Sequence, residues 1–396
     1  MGPPIRVAAP LSETAVSRVL APFGQSSTLP GDAYIASALF AWEQEHFFDA
    51  GWMCLGRVEE ISAAGDQRAV RLGRQSILLT RDASGALRGF FNVCRHRGHE
   101  LLACGACANA GAVRCPYHGW AYELNGKLKA AVRFGDVPGA HLEDISLVPV
   151  RVETWYGWIF ANISGQAPSL ESWMGSLGRM VSAHQPERLR IAARHSYEVA
   201  ANWKIITENY HECYHCPQIH PQLCRVSPPD SGDNQPRDGA WVGGAMDLAT
   251  NAETMALDGK SRGTFFDGLD ARQRRQVYYY GLFPSMLISL HPDYILTHRI
   301  EPLAAGRTAV ECNWLFPAEL VAQKDFSPNY AVEFWDMTNK QDWGACESVQ
   351  RGAASPGHRQ GPLSAREGVV YNFLRQVARA YQDGCFELTP PDTASA

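Results

Sequence analysis

The pattern of hydrophobic and polar positions divides the chain into three parts. Residues 1–48 carry apolar residues at helical spacing after Asp32, whereas residues 49–165 consist of short apolar runs separated by turn residues. Residues 166–396 combine helical spacing with strand-like runs. The pattern therefore predicts an N-terminal helical part, a small all-β domain, and a larger domain that contains both helices and a sheet.

Two hairpin signals mark the all-β segment. The apolar runs at 75–80 and 87–93 flank a turn sequence Asp-Ala-Ser-Gly, and Asn125-Gly126 is a strong signal for a two-residue hairpin turn. An apolar, aromatic-rich run at 152–163 closes the segment. We expect short antiparallel strands throughout.

The last part predicts an antiparallel meander followed by helices. Strand-like runs with turn residues between them predict three neighbouring strands, at 285–290, 294–300 and 308–316. Helical spacing predicts four helices, at 170–183, 203–214, 330–349 and 367–381. A stretch rich in Gly, Asp and Pro at 225–265 predicts a long loop over a cleft, and 390–396 predicts a frayed polar tail. The fold class that follows is α+β.

Composition and charge exclude some binding partners and indicate a cellular location. The net charge of −5, from 36 basic and 41 acidic residues, provides no positive field for nucleic acid or an anionic membrane. The most apolar stretch, 278–290, falls short of the roughly 20 residues that span a bilayer, and the N-terminus shows no export signal. The eleven scattered cysteines are therefore interpreted as reduced thiols or metal ligands of a cytoplasmic protein, not as disulfides.

The spacing of two Cys/His pairs predicts a first metal site. Cys94-x-His96 and Cys115-x2-His118 each follow a predicted strand, so loops carry both pairs. Two thiolates and two imidazoles suit either a structural zinc or a [2Fe–2S] cluster with histidines on one iron. The one-residue spacer favours the cluster. The main alternative is a zinc knuckle that uses Cys115 and His118 together with Cys104 and Cys107, but it leaves the first pair without a role.

A second cluster of potential ligands lies in the mixed domain. Glu212 and His215 are expected on one face of the helix predicted at 203–214, and Pro217 is expected to end that helix so that His220 meets His215. Two histidines and a carboxylate are typical ligands of an Fe(II) that binds O2. The carboxylate is expected from the late helix, at Asp342 in preference to Asp336 or Glu347. His211 offers an alternative pairing with His215, and a solvated or hydrogen-bonded face is the alternative to any metal.

A resemblance to a known family supports both sites. Cys-Arg-His-Arg-Gly followed by Cys-Pro-Tyr-His-Gly-Trp resembles the Rieske centre of the large subunit of Rieske non-haem iron oxygenases. That family also carries Asp or Glu, two residues, His, four residues, His, and a distant Asp, to which Glu212, His215, His220 and Asp342 are similar; His211 matches no family ligand. The resemblance covers about residues 45–385. It implies a Rieske [2Fe–2S] cluster held by Cys94, His96, Cys115 and His118, and a mononuclear Fe(II) held by His215, His220 and Asp342.

The resemblance also implies an architecture. A Rieske domain, residues 49–165, is inserted into a catalytic domain formed by residues 1–48 and 166–396, whose antiparallel sheet surrounds a long helix in a helix-grip fold. The family forms head-to-tail trimers in which electrons pass between neighbouring subunits. Glu212 is implied as the bridge, hydrogen-bonded to His215 and to the neighbour's His118.

The resemblance bears on the reaction too. Ring-hydroxylating members usually carry Asp at the bridge, whereas Glu212 resembles the branch that acts on betaines, choline and carnitine, which implies hydroxylation or N-demethylation of a quaternary ammonium compound with O2. Trp241, Tyr278, Tyr279, Tyr280 and Tyr294 are candidates for a cation-binding wall, although a place in the core is the stronger interpretation.

Two further expectations concern partners and alternatives. No Gly-rich dinucleotide fingerprint follows a predicted strand, so NAD(P)H is expected to act only through a separate flavin or iron–sulfur reductase or a ferredoxin. An aromatic ring-hydroxylating oxygenase, for which a basic residue in the cleft is expected, is the alternative; a non-catalytic Rieske or zinc-binding protein is a remote one.

Overall fold

The computed structural model describes residues 7–235 and 238–390. Within that part the chain forms two compact units, one of residues 48–170 and one that joins the residues up to Phe47 to those from Glu171 onward. The boundaries expected from the sequence were 48/49 and 165/166. The predicted polar tail lies outside the described residues from position 391 onward. None of the described helices combines the length and the apolar character needed to cross a bilayer.

The 48–170 unit is built from short antiparallel strands. They are β1 Met53–Arg57, β2 Asp66–Leu72, β3 Gln75–Arg81, β4 Leu87–Phe91, β5 Cys107–Asn109, β6 Val113–Arg114, β7 Ala121–Tyr122, β8 Leu128–Ala130, β9 Pro149–Trp155 and β10 Trp158–Asn162. One sheet has the order β1-β10-β9-β4-β3-β2-β5, and a second has the order β6-β7-β8. This is the small all-β domain that the sequence predicted.

Both predicted hairpins are present, but the second lacks the two-residue turn expected at Asn125-Gly126. Its loop holds three residues, because the N–H of Glu123 donates to the carbonyl of Lys127 at 2.8 Å and the N–H of Gly126 donates to the carbonyl of Glu123 at 2.9 Å. In the turn between β3 and β4, the carboxylate of Asp82 accepts the N–H groups of Ser84 and Ala86, both at 2.9 Å. Between β7 and β8, Gly126 has a φ of +94°, which is the left-handed conformation that glycine adopts without a Cβ penalty. The closing apolar run is two strands, because Gly157 at φ +85° reverses the chain between β9 and β10.

The second unit combines helices with one large antiparallel sheet. The helices are α1 Glu13–Leu20, α2 Asp32–Ile35, α3 Ser37–Glu43, α4 Leu170–Met174, α5 Leu177–Val181, α6 Trp203–Tyr210, α7 Cys216–Ile219, α8 Pro221–Val226, α9 Ala318–Val321, α10 Asn329–Ala353 and α11 Gly368–Asp383. The strands are β11 Leu189–Val199, β12 Asp233–Asn234, β13 Trp241–Asp247, β14 Gln276–Leu282, β15 Met286–Leu290, β16 Ile295–Ala304 and β17 Arg307–Pro317. The sheet order is β11-β17-β16-β15-β14-β13-β12.

The long helix α10 packs against this sheet, as a helix-grip fold requires. Trp335 Nε1 donates over 2.8 Å to the hydroxyl of Tyr294, the residue just before β16. Asn339 Oδ1 lies 3.2 Å from Nε2 of His298 within β16. The meander predicted at 285–316 corresponds to β15, β16 and β17. These contacts fix the register of α10 along the sheet, which decides where Asp342 is placed.

Four strands of the large sheet, β11 to β14, were not predicted from the sequence. The stretch 225–265 was expected to be a loop, but it contains β12 and β13. Gly243 and Gly244 concealed β13, because glycine is a poor strand former; here a Cβ at either position would lie 2.3 Å from a neighbouring carbonyl oxygen. The edge strand β11 was concealed by its many polar residues, because exposed positions alternate there with partly buried ones and only the two end residues are buried.

Candidate active site: two metal centres and a cleft

Two loops of the same shape carry the Cys/His pairs of the all-β unit. In each loop the cysteine N–H donates to the carbonyl five residues further on, at 2.8 Å for Cys94 and 2.7 Å for Cys115. The cysteine carbonyls accept from Gly98 and Gly119 at 3.0 and 3.1 Å, and both glycines have a φ of +73°. Both loops therefore turn sharply after the cysteine and return the histidine to the side of its thiol.

The environment of these residues fits an iron–sulfur cluster. Cys94 and Cys115 are 2% exposed and belong to the same buried cluster of side chains, while the rings of His96 and His118 lie 4.7 Å apart. His96 stacks on Trp120, and its buried Nδ1 has no hydrogen-bond partner among the described residues. A buried, unpaired imidazole nitrogen beside two thiols is costly unless it has a ligand. The four residues thus suit a bound metal cluster.

The alternative zinc knuckle receives no support from the structure. Cys104 and Cys107 are exposed, at the turn before β5 and at its first residue, and neither belongs to the buried cluster that contains Cys94 and Cys115. The Cys94 thiol instead lies 3.2 Å from the hydroxyl of Tyr122. Burial raises the pKa of Cys94, so its thiolate needs a nearby cation.

The segment after α6 differs from its prediction. Asn202 caps α6 by accepting the N–H of Lys204 at 3.0 Å, but the helix ends at Tyr210, before Glu212 is reached. The Glu212 carboxylate accepts the N–H groups of Tyr214 and His215, which competes with the helical hydrogen bonds and turns the chain. The prediction that Glu212 and His215 share a helix face is therefore wrong. Pro217 does not end a helix but lies in the first turn of α7, where its missing N–H costs nothing.

Two cysteines of this turn differ from the prediction that the chain contains no disulfide. Cys213 and Cys216 form a disulfide, whereas all eleven cysteines were expected to be reduced thiols or metal ligands. The turn brings the two Cα atoms to 4.9 Å, within the range that a disulfide requires. The other nine cysteines are not in a disulfide. A disulfide therefore brackets His215.

The structure brings His215, His220 and Asp342 together as a potential metal site. Asp342 Oδ1 lies 2.8 Å from Nε2 of His220 and 3.4 Å from Nε2 of His215. The opposite ring nitrogens are held elsewhere: Nδ1 of His215 by Glu212, and Nδ1 of His220 by Gln341 Oε1 at 2.8 Å. Both imidazoles therefore present Nε2 to the same point.

The electrostatics of the three residues favour a cation between them. Burial disfavours a charge on His215, but hydrogen bonds to Asp342 and Glu212 raise its pKa to about 9. Burial likewise acts against the Asp342 carboxylate, yet the two histidines hold its pKa below the ordinary value. The alternative carboxylates are engaged elsewhere, since Asp336 accepts from Tyr197 at 2.6 Å and Glu347 accepts the N–H of Ala200 at 3.1 Å.

His211 is buried apart from the three potential ligands. It is 7% exposed, and burial lowers its pKa to about 3. Its ring packs against Gly281 in the space where another residue would have a side chain, since a Cβ at Gly281 would lie 2.2 Å from Nε2 of His211. The potential metal site described above does not include it.

A cleft of about 480 Å³ opens onto the potential metal site. Of the five aromatic candidates from the sequence, Tyr279 lines the cleft and Tyr278 is partly buried but does not line it. The other three, Trp241, Tyr280 and Tyr294, are fully buried in the core. The alternation of β14 explains the difference, because Tyr279 and its two neighbours point to opposite faces of the sheet. Three aromatic residues that the sequence analysis did not select also line the cleft: Tyr210, Tyr214 and Trp335.

The charges of the cleft are mostly negative. Its lining carries four carboxylates, Glu212, Asp230, Asp233 and Asp342. Among the described residues that line it, Arg366 is the one with a permanent positive charge. The aromatic wall and the acidic lining both suit a substrate that contains a cationic group.

Comparisons with known proteins agree with this architecture. Residues 186–383 match the family described as the ring hydroxylating alpha subunit (catalytic domain), and residues 51–139 match the Rieske [2Fe-2S] domain. The carnitine monooxygenase oxygenase subunit of Escherichia coli strain K12 is 32% identical over 371 residues, which cover 90% of this chain and 94% of that protein. The glycine betaine monooxygenase oxygenase subunit of Pseudomonas aeruginosa UCBPP-PA14 is 29% identical over 384 residues, 88% of each chain.

A solved structure is similar over the same length. The crystal structure of the quaternary ammonium Rieske monooxygenase CntA with its substrate L-carnitine has a TM-score of 0.77 at 25% identity, and covers 94% of this chain and 99% of that one. The chain belongs to the Rieske oxygenases, as an alpha subunit with a Rieske domain and a ring-hydroxylating type of catalytic domain. It is an oxidoreductase that carries a [2Fe–2S] cluster and a mononuclear iron and uses O2 as co-substrate.

Proposed function

We propose that this oxygenase hydroxylates an N-methyl group of a quaternary ammonium compound and thereby demethylates it. The observation that carries the proposal is the cleft beside His215, His220 and Asp342, whose wall is aromatic and whose lining is mostly acidic. The relatives named for glycine betaine and carnitine support the same substrate class. The reaction consumes O2, two electrons and two protons and gives water and an N-hydroxymethyl ammonium product. That product then releases formaldehyde and a proton and leaves a tertiary amine.

Different residues of the chain hold the two metal centres and orient the histidine ligands. Cys94, His96, Cys115 and His118 hold the cluster, and His215, His220 and Asp342 hold the iron. The two centres supply electron transfer and O2 activation when they are bound. Glu212 and Gln341 orient the two imidazoles through their Nδ1 atoms, which keeps both Nε2 lone pairs directed at the metal.

The aromatic wall orients the substrate. Tyr279 and Trp335 line the cleft from β14 and α10, with ring centroids 6.3 Å apart. A methylammonium group that lies against these faces gains about 1–2 kcal/mol of cation–π attraction when water is excluded. That attraction favours a cation over a neutral isostere and places its methyl groups near the metal site.

Electrons are supplied from outside the catalytic unit. We propose a separate flavin or iron–sulfur reductase, or a ferredoxin, as the donor, in the cytoplasm, and a trimer in which Glu212 links His215 to the neighbour's His118. The Glu212 carboxylate already binds Nδ1 of His215 and two backbone N–H groups, so its position is fixed before a neighbour is added.

Hydroxylation of an aromatic acid is the less supported alternative. The cleft does contain the basic residue that this alternative requires, Arg366, but its lining carries more carboxylates than basic groups. The similar proteins are named for glycine betaine and carnitine, which are ammonium compounds. The test is a reductase-coupled assay with a panel of methylammonium compounds and arene carboxylates. Formaldehyde in step with O2 uptake for at least one ammonium compound supports the proposal, whereas hydroxylated arene without any formaldehyde contradicts it.

A further inference from the structure

We propose that Arg366 forms a carboxylate-binding subsite in the cleft, so that the substrate is an ammonium carboxylate and not a simple cation. The ammonium half of this inference rests on the proposed function, and the carboxylate half rests on Arg366. The subsite selects betaine-like zwitterions over alcohols such as choline.

Arg366 shares one cleft with the metal site and the aromatic wall. It lies just before α11, and both it and the first residues of that helix line the cleft together with Asp342 and Tyr279. The side chain of Arg366 is 50% exposed, whereas the side chain of His220 is 2% exposed. The positive charge is thus on the solvent side of the cleft and the metal ligands are on its buried side.

The partner of Arg366 leaves it able to bind a second carboxylate. The guanidinium Nη1 forms an ion pair with Asp230, whose side chain is 65% exposed. An ion pair this exposed contributes little to stability, because water competes for both charges. A guanidinium has five N–H donors in a planar fork, so Asp230 can orient the group while a substrate carboxylate binds another edge.

The distribution of charge fits a zwitterion better than either simple ion. Glu212 and Asp233 oppose a plain anion in the cleft, and Arg366 opposes a plain cation that fills it. A molecule with a methylammonium group at one end and a carboxylate at the other matches the aromatic wall and Arg366 at the same time. This complementarity makes Arg366 a residue that determines specificity.

The test separates the two halves of the substrate with four ligands. Two ligands carry a trimethylammonium group: glycine betaine, which is a carboxylate, and choline, which is an alcohol. The other two carry a neutral tert-butyl group in its place: 3,3-dimethylbutanoate, which is a carboxylate, and 3,3-dimethylbutanol, which is an alcohol. Dissociation constants are measured by calorimetry on the metal-loaded protein. The preference for carboxylate over alcohol, measured within each pair, reports on Arg366; the preference for ammonium over tert-butyl reports on the proposed function.

We expect Arg366→Gln to reduce the carboxylate preference by about tenfold or more in both pairs, since hydrogen bonds between charged groups are the stronger ones. Arg366→Lys should restore part of it, because the charge remains and the planar fork is lost. Asp230→Asn should leave most of it, because the amide oxygen can still accept from Arg366 while the substrate carboxylate binds another edge of the guanidinium. The matched control is Arg262→Gln, which breaks an Arg–Asp pair of similar exposure, 52% and 51%, at a residue that does not line the cleft.

Two results overturn the inference. One is a wild-type protein with no preference for carboxylates, and the other is a preference that Arg366→Gln leaves intact or that Arg262→Gln reduces equally. A carboxylate preference that depends on Arg366, combined with no preference for ammonium over tert-butyl, supports the subsite and counts against the proposed function alone.

Discussion

The two imidazoles beside Asp342 are held by partners of different charge. Glu212, an anion, binds Nδ1 of His215, whereas the neutral amide of Gln341 binds Nδ1 of His220. Gln341 and Asp342 are consecutive in α10, so one short piece of helix contacts both nitrogens of the His220 ring. Such partners fix the ring orientation of a metal-binding histidine and contribute to metal affinity.

We predict that Gln341→Leu weakens iron binding by about 10- to 100-fold while the [2Fe–2S] cluster stays loaded. The physical reason is that His220 loses the acceptor that fixes its ring. Iron titration followed by the nitrosyl EPR signal measures the effect, and the visible spectrum of the cluster is the internal control. Gln341→Glu keeps an acceptor and should retain most of the affinity. Unchanged iron affinity in Gln341→Leu would show that Gln341 has no such role.

At the scale of secondary structure, a buried charge network joins three helices. Lys204 of α6 donates to Glu43 of α3 over 2.6 Å, Trp203 Nε1 donates to the same carboxylate at 3.0 Å, and the hydroxyl of Tyr381 in α11 also donates to it. Lys204 and Glu43 are both fully buried. Because α6 leads directly into the turn that carries Glu212 and His215, this network positions the start of the metal-binding segment.

Lys204→Met is predicted to destabilise the catalytic unit by about 3–5 kcal/mol, since it leaves the Glu43 carboxylate buried without its cation. Urea unfolding followed by near-UV circular dichroism measures the change. The double variant Lys204→Met/Glu43→Gln should recover much of the loss. As a control, Lys340→Met breaks an exposed i,i+4 pair with Asp336 and should cost about 0.5 kcal/mol or less. Equal effects of Lys204→Met and Lys340→Met would refute the prediction.

Periodicity predicted the elements whose pattern is strong and local. The meander strands, α10 and α11 were found from spacing, as were the two Cys/His pairs and the pair of His215 and His220, because these spacings are short-range signals. Asp342 is 122 positions from His220, and the family resemblance supported its choice. The turn at Glu212 was not, since it depends on a side chain that competes with the helix for backbone N–H groups. The contact of Gln341 with His220 and the position of Arg366 in the cleft depend on the tertiary structure, which spacing along the chain does not reveal.

At the scale of the whole molecule, the two candidate metal centres belong to different units of the chain. If electrons pass between copies, a chain without its cluster and a chain without its iron should complement each other. We predict that co-expressed Cys115→Ser and Asp342→Ala chains regain activity that neither has alone. The control adds Glu212→Gln to the Cys115→Ser chain, which keeps its iron ligands, and should abolish the recovery. Mixed oligomers with no activity would contradict transfer between copies.

The most direct test of the account is a single turnover without any reductase. The metal-loaded protein is reduced chemically, freed of reductant, and mixed with O2 and a methylammonium carboxylate. We predict formaldehyde formation in step with re-oxidation of the Rieske absorbance, since cluster and iron together hold the two electrons that one hydroxylation consumes. Re-oxidation of the cluster without formaldehyde from any methylammonium compound, with hydroxylated product from an arene carboxylate under the same conditions, would contradict the account.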